Sequence, residues 1–187
     1  MHGHRLITTA ALLFVLAIIA QCASKPAPPP PPELTPIVSV EELMENIVEP
    51  TADVIFDSVV TTVTASGTVE VKPTTEEDWL KVQRAALLLA ETTNLLKMQR
   101  QIAPPAAAPA GVGPELSPAQ MQAKVDGDRA QWGTYADALR DVAIRGIAVA
   151  KAKNVEGVFE LGSELDTACE NCHLEYWYPG DKKKVKK

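Results

Sequence analysis

Proline placement is the strongest constraint on what this chain can fold into. Of its 15 prolines, all but Pro50, Pro73 and Pro179 crowd into two stretches, 26–36 and 104–118. Proline lacks a backbone donor and clashes with the preceding turn, so each cluster interrupts regular structure. The stretches between and after the clusters are left free for long helices. Aromatic residues make up only 5% of the chain. The pattern therefore suggests linkers between helical segments rather than a strand-rich fold.

The N-terminus reads Met1-His-Gly-His-Arg5, followed by an apolar run from Leu6 to Ala20. A membrane-spanning helix needs about 20 apolar residues. This shorter run, with Arg5 as its positive flank, reads as the apolar core of an export signal. The competing interpretation is a buried N-terminal helix, set aside because no polar face interrupts the run and a Pro-rich spacer follows it. Three cysteines are present, Cys22, Cys169 and Cys172. Ile19-Ala20-Gln21-Cys22 resembles a bacterial lipobox, whose cysteine is lipidated, although Gln21 stands where that motif prefers a small residue. The Pro-rich run up to Pro32 would form a stiff, extended spacer suited to holding a domain off a membrane. The expected organisation is an export signal at 1–22, a Pro-rich linker at 23–37, a helical domain at 38–179 and a basic tail at 180–187. The expected location is the periplasm, with membrane tethering through lipidated Cys22 or cleavage to a soluble form.

Net charge is −6, unevenly distributed. With the five lysines of 182–187, Arg5 and Lys25 set aside, eleven of the 18 Lys/Arg remain against 24 Asp/Glu. An acidic body disfavours nucleic acid and favours partner proteins with a basic docking face. The basic tail reads as a solvated end.

Four helical patterns follow the linker. Ser39-Val-Glu-Glu42 is a capping box for the first. Val40, Leu43, Met44, Ile47, Val54, Ile55, Val59 and Thr62 keep a helical period, with Pro50 expected to kink or briefly break the helix. Ala65 to Pro73 is a connection in which Thr68–Val71 could be extended. The second helix is expected to open at Thr74 with Glu77 completing its box, and to bury Trp79, Val82, Ala86, Leu89, Thr93 and Leu96. Ser117, Pro118 and Gln120 mark the start of the third. Its buried face is Trp132, Ala136, Leu139, Ala143, Ile147 and Ala150. Asn154 caps the fourth, with Phe159, Gly162, Leu165, Cys169 and Cys172 along one side and Pro179-Gly180 as its stop. Four amphipathic helices without strand alternation predict an all-α four-helix bundle.

The last helix carries Cys169-Glu-Asn-Cys172-His173, a C-x-x-C-H motif. Residues three apart share a helix face, so both sulfurs can reach the two vinyl carbons of one porphyrin. The adjacent imidazole can then serve as an iron ligand. Other uses of these residues fit less well. A thioredoxin-like dithiol needs a strand–helix context. Structural zinc needs four ligands, and His2 and His4 would leave with the signal. A plain disulfide gives His173 no role. One covalent haem c on Cys169 and Cys172, with His173 proximal, is the expectation. Export agrees with it, because c-type haem is attached outside the cytoplasm. Met44, Met98 and Met121 are the candidates for a sixth ligand, and each could equally be core filler.

A C-x-x-C-H motif on the last helix of a four-helix bundle resembles the cytochrome c′ family. The stretch Cys169 through Pro179 is also similar to bacterial c-type cytochromes ending in Cys-x-x-Cys-His-x-x-Tyr-Trp-Tyr-Pro. The likeness spans about residues 38–179 and is carried by its two ends. In this group some members are five-coordinate and others take a methionine from the first helix. The resemblance therefore implies Met44 as sixth ligand, alongside His173 as the metal-binding pair. It also implies a homodimer as one form of assembly. Leu174-Glu-Tyr-Trp177 stands where the family usually has a basic residue near the propionates, so no such contact is carried over.

The function expected is electron transfer with redox partner proteins, not enzymatic catalysis. No distal acid–base histidine or other catalytic constellation accompanies the motif. The alternative is a five-coordinate haem binding a small gas, nitric oxide or carbon monoxide. A third reading is a haem subunit of a larger membrane-associated oxidoreductase. Trp79, Trp132, Tyr135, Tyr176, Trp177 and Tyr178 are expected to pack the core or edge the haem.

Overall fold

The structure is a computed structural model that describes residues 33–105 and 115–181. The expected export signal, Cys22, most of the Pro-rich linker, residues 106–114 and the lysines of 182–187 lie outside the described residues. Among the described residues no helix is long and apolar enough to cross a membrane.

The first helix begins where the capping box places it. Ser39 Oγ accepts from the Glu42 N–H at 3.1 Å, and Glu42 Oε2 accepts from the Ser39 N–H at 2.9 Å. The helix runs as α1 (Val40–Leu43), a π-helical segment (Met44–Val48) and α2 (Glu49–Phe56). Pro50 does not interrupt it. The helix instead widens just before the proline, with the Glu49 N–H donating to the Met44 carbonyl five residues back. Widening relieves the clash between the proline ring and the carbonyl four residues earlier, and it leaves spare carbonyls. Within the widened segment Asn46 Nδ2 donates to the Glu42 carbonyl at 2.8 Å.

The helical period expected through Val59 and Thr62 does not hold. The chain leaves α2 after Phe56 and forms an antiparallel hairpin, β1 (Val60–Thr64) and β2 (Gly67–Val71), pairing Val60 with Val71 and Thr64 with Gly67. The six residues from Val59 to Thr64 are all β-branched, which favours extended backbone over helix. Gly67, at φ +132°, supplies the turn geometry that a side chain would strain.

Helix α3 (Glu76–Lys97) starts one residue later than expected. Thr75 is its cap and Asp78, not Glu77, completes the box. All six residues of its predicted stripe are buried. The third helix is divided: α4 (Pro118–Gly127), capped by Ser117 as expected, ends at Asp128, which caps α5 (Arg129–Lys151) by accepting from the Gln131 N–H at 2.9 Å. The predicted α5 face is buried except Ile147, which is half-buried against the core. Asn154 caps α6 (Val155–Tyr176) as expected, and a 3-10 turn (Pro179–Asp181) follows. The predicted side of α6 holds at Leu165, which is fully buried, but is wrong at Phe159, which is 61% exposed; Val158, Leu161 and Ala168 face inward with Leu165.

The architecture is thus mostly helical with one small two-stranded sheet. α3 packs on α5, α5 on α6, and α2 on both α3 and α6. Gly146 lets three helices meet, since a Cβ there would lie 2.8 Å from Leu161 and 3.1 Å from Ala86. Backbone bonds fix the ends. The Val40 and Glu41 N–H groups donate to the Gln101 and Ile102 carbonyls, just past α3. Trp132 Nε1 donates to the Leu96 carbonyl at 2.7 Å, and the Trp132 ring meets Tyr176 edge-on at 5.0 Å. The start of the first helix, the end of α3, the start of α5 and the end of α6 therefore share one end of the molecule. The first helix and α6 run antiparallel.

Candidate functional site

The motif occupies the last two turns of α6. Cys169 and Cys172 are half-buried, pack against the main apolar core and carry free thiols. Their spacing keeps both sulfurs on one side of the helix. Burial pushes the Cys169 thiol up to about 11, with the Asp166 charge adding to it. Burial, the Cys169 sulfur and Glu175 push Cys172 up to about 12. Both are protonated at neutral pH. Redox-active dithiols work through a thiolate of lowered pKa, so these shifts speak against a thioredoxin-like use.

His173 is half-buried, and burial lowers its pKa against the opposing charges of Glu170 and Glu49. A neutral imidazole keeps a nitrogen lone pair for a metal. After α6 the chain folds back on this residue. The Trp177 and Tyr178 N–H groups both donate to the His173 carbonyl, at 2.8 and 3.0 Å. The Trp177 ring then stands edge-on to the imidazole at 5.3 Å, and Tyr178 lies 6.0 Å away. Tyr178 Oη donates to Glu170 Oε2 at 2.7 Å, which fastens the turn to the motif. Tyr176 is different. It is buried against Trp132 and Tyr135, and Lys124 Nζ lies 5.7 Å from its ring centre. Trp79 packs in a second apolar cluster with Val82, Ala150 and Val158.

Met44 is half-buried, opens the π segment and packs against the same core as the two cysteines. Its level along the helix axis follows from register. A Cβ on Gly162 would lie 3.8 Å from the Phe56 ring, so these two residues are level across the antiparallel pair. His173 is eleven residues beyond Gly162 and Met44 is twelve before Phe56. At about 1.5 Å per residue both lie roughly 17 Å from that contact, in the same direction. The influence of Glu49 on His173 agrees with this register. Met121 is also half-buried against the core. The Met98 sulfur is engaged, accepting from Arg100 Nη2 at 3.7 Å.

A shallow groove of about 460 Å³ runs between α5 and α6, lined by Val142, Arg145, Glu164, Ala168 and Asn171. It takes in Asn171 of the motif but neither thiol nor the imidazole. Among the described residues no three His, Cys, Asp or Glu side chains converge on a point where they could hold a bare metal ion. The donors present are two unpaired thiols on one helix face, a neutral imidazole next to them, and a thioether at the same level on the facing helix. Sequence reasoning singled out these four residues. It missed Glu49 and the aromatic turn's grip on the His173 carbonyl, which depend on how the chain folds back after α6.

Comparison with known proteins adds no relative: no family model, curated protein or solved structure matches this chain.

Proposed function

We propose that this chain is an exported monohaem c-type cytochrome that transfers electrons. Its helices would form a cytochrome c′-like four-helix bundle, with the haem bound through Cys169 and Cys172. The observation that carries the proposal is the state of the motif. Both thiols are free, protonated and half-buried on one face, and burial keeps the neighbouring His173 neutral. These are the donors that thioether attachment and proximal ligation require. When bound, haem supplies a one-electron ferrous/ferric couple.

The chain's own residues have distinct parts in this proposal. Cys169 and Cys172 fix the macrocycle to a rigid helix. His173 provides the proximal nitrogen, and the Trp177–Tyr178 turn limits the swing of its ring. Met44 is the residue proposed as sixth ligand, supported by its level with His173 on the facing helix. Filling both axial positions would leave none for a substrate, in keeping with a carrier rather than an enzyme. The acidic body would meet a partner with a basic docking face. Periplasmic location, with or without a lipid tether at Cys22, follows from the proposed export signal.

Optical spectra of the haem-loaded chain test the proposal, taken oxidised, reduced and under carbon monoxide, beside Met44→Ala. The expected result is a low-spin spectrum with a sulfur-to-iron band that is lost in Met44→Ala. A high-spin spectrum that is unchanged by the substitution and shifted by carbon monoxide would move the function to gas binding. A chain that acquires no covalent haem in a host with c-type maturation would refute both.

A further inference from the structure

Among the described residues the most unusual charge is Arg100, in the segment that follows α3. It is only 8% exposed. Nη1 donates to the Val38 carbonyl at 3.1 Å and Nη2 to the Met98 sulfur at 3.7 Å, while the buried Nε has no acceptor. A desolvated guanidinium normally has a carboxylate opposite it, because an unpaired buried charge is among the costliest arrangements in a fold. Among the described side chains none is supplied. All 24 Asp and Glu lie between Glu33 and Asp181, and none whose side chain the structure describes forms an ion pair with Arg100. Burial also lowers the Arg100 pKa, and no nearby acid opposes the shift.

The position of Arg100 indicates where the missing anion would come from. Val38 directly precedes the Ser39 cap of the helix that carries Met44. The Arg100 carbonyl accepts from Gln122 Nε2 of α4 at 3.4 Å, and Lys124, half a turn further along α4, bridges to Glu175 at 2.8 Å. Glu175 is two residues past His173. Arg100 therefore belongs to the same end of the molecule as the motif, bonded to the segment that leads into the Met44 helix and, through its carbonyl, to α4, which in turn is bridged to α6 by Lys124 and Glu175. Haem carries two propionate carboxylates on the edge of the macrocycle, and a guanidinium matches a carboxylate in both charge and planar donor geometry.

We propose that Arg100 is a carboxylate-binding residue whose partner is one propionate of the haem on Cys169 and Cys172. This rests on the function proposed above. It assigns the residue that orients the macrocycle and neutralises its edge, a role distinct from iron ligation.

The test uses the haem-loaded chain, matured with haem carrying 13C at the propionate carboxyl carbons. Subtracting the infrared spectrum of unlabelled protein isolates those two carboxylates. Covalent haem is assayed first by the reduced pyridine adduct. With haem attached, the wild-type chain should show two distinct propionate components, one of them characteristic of a guanidinium pair. Arg100→Gln should lose that component, and Arg100→Lys should retain it at a shifted frequency. Isotope-sensitive bands identical in wild type, Arg100→Gln and Arg100→Lys would overturn the inference while leaving the proposed function standing. Absence of haem from the wild-type chain would remove both. If Arg100→Gln does not accumulate, Arg100→Lys decides alone, since exchanging a planar fork for a point charge must move the band of a paired carboxylate.

Discussion

The two ends of this molecule are built by the same helices but from different chemistry. At the Trp79 end, Trp79, Val82, Ala150 and Val158 form a small apolar cluster, and the nearby charges lie at the surface, as in the Lys153–Glu76 pair. At the Tyr176 end the chain desolvates two thiols, an imidazole, a phenol and the cation of Arg100. The π segment lies toward this end as well. Folding alone does not require such a concentration, since the Trp79 end closes without it. Groups that are expensive to bury gather where they serve something besides packing.

Two tryptophan substitutions should separate the ends most strongly. Trp79→Ala and Trp132→Ala each remove a nearly buried indole and should each cost about 3–5 kcal/mol. Denaturant unfolding of the chain carrying the proposed haem measures this. The optical spectrum should distinguish them. Trp79→Ala should leave it unchanged. Trp132→Ala should perturb it, because Trp132 supports Tyr176, three residues from His173. Equal spectral shifts in both variants would mean that the two ends are not independent.

One strongly shifted group at each end should make itself felt at an opposite extreme of pH. At the Trp79 end, the Thr75 and Thr74 N–H groups bonded to Asp78 lower its carboxyl from the ordinary 3.8 to about 2. A depressed pKa gives stability that is full above the unfolded value, so this contribution is lost as pH falls from about 4 to about 2. At the other end burial raises Tyr176 from 10.0 to about 12. That contribution is full below about pH 10 and is lost as pH rises toward 12. In melting curves across pH, Asp78→Asn should flatten the acid limb alone and Tyr176→Phe the alkaline limb alone. An acid slope unchanged in Asp78→Asn would show that the cap does not set the acid limit.

The same contrast separates what could be read from the sequence from what could not. The α3 stripe from Trp79 to Leu96 and the caps at Ser39, Ser117 and Asn154 were legible, because each depends on residues within one or two turns. The hairpin was hidden by a competing period: Val59 and Thr62 also sit at helical spacing, and the β-branched run outweighs that spacing. The break at Asp128 was legible in principle, since Asp128 and Gln131 form a cap signal within an otherwise continuous pattern. Phe159 is misplaced because a face drawn through Leu165 and the cysteines extends back to Phe159, whereas the buried face turns through Leu161 to Val158. At the candidate site the motif identified its own residues. Arg100 stayed hidden because composition counts charges, whereas what marks this residue is that no described carboxylate faces it in three dimensions.

The smallest effect is the most discriminating about burial. Ser39 and Thr75 head boxes of the same pattern, one at each end, completed by Glu42 and Asp78, and each side-chain oxygen accepts from the N–H three residues on. Ser39 is 6% exposed, whereas Thr75 is exposed. Water can replace the lost hydroxyl at Thr75 but not at Ser39, where Ala would leave the Glu42 N–H without its acceptor. Thr75→Ala should therefore cost about 0.5 kcal/mol and Ser39→Ala about 2 kcal/mol, the two limits of the usual range for caps. Ser39→Ala should also loosen the turn that leads into Met44, so it should weaken any sulfur-to-iron band, which Thr75→Ala should leave intact. Equal losses of stability would mean that water reaches Ser39 and that the closure of the Tyr176 end, on which the contrast depends, is incomplete.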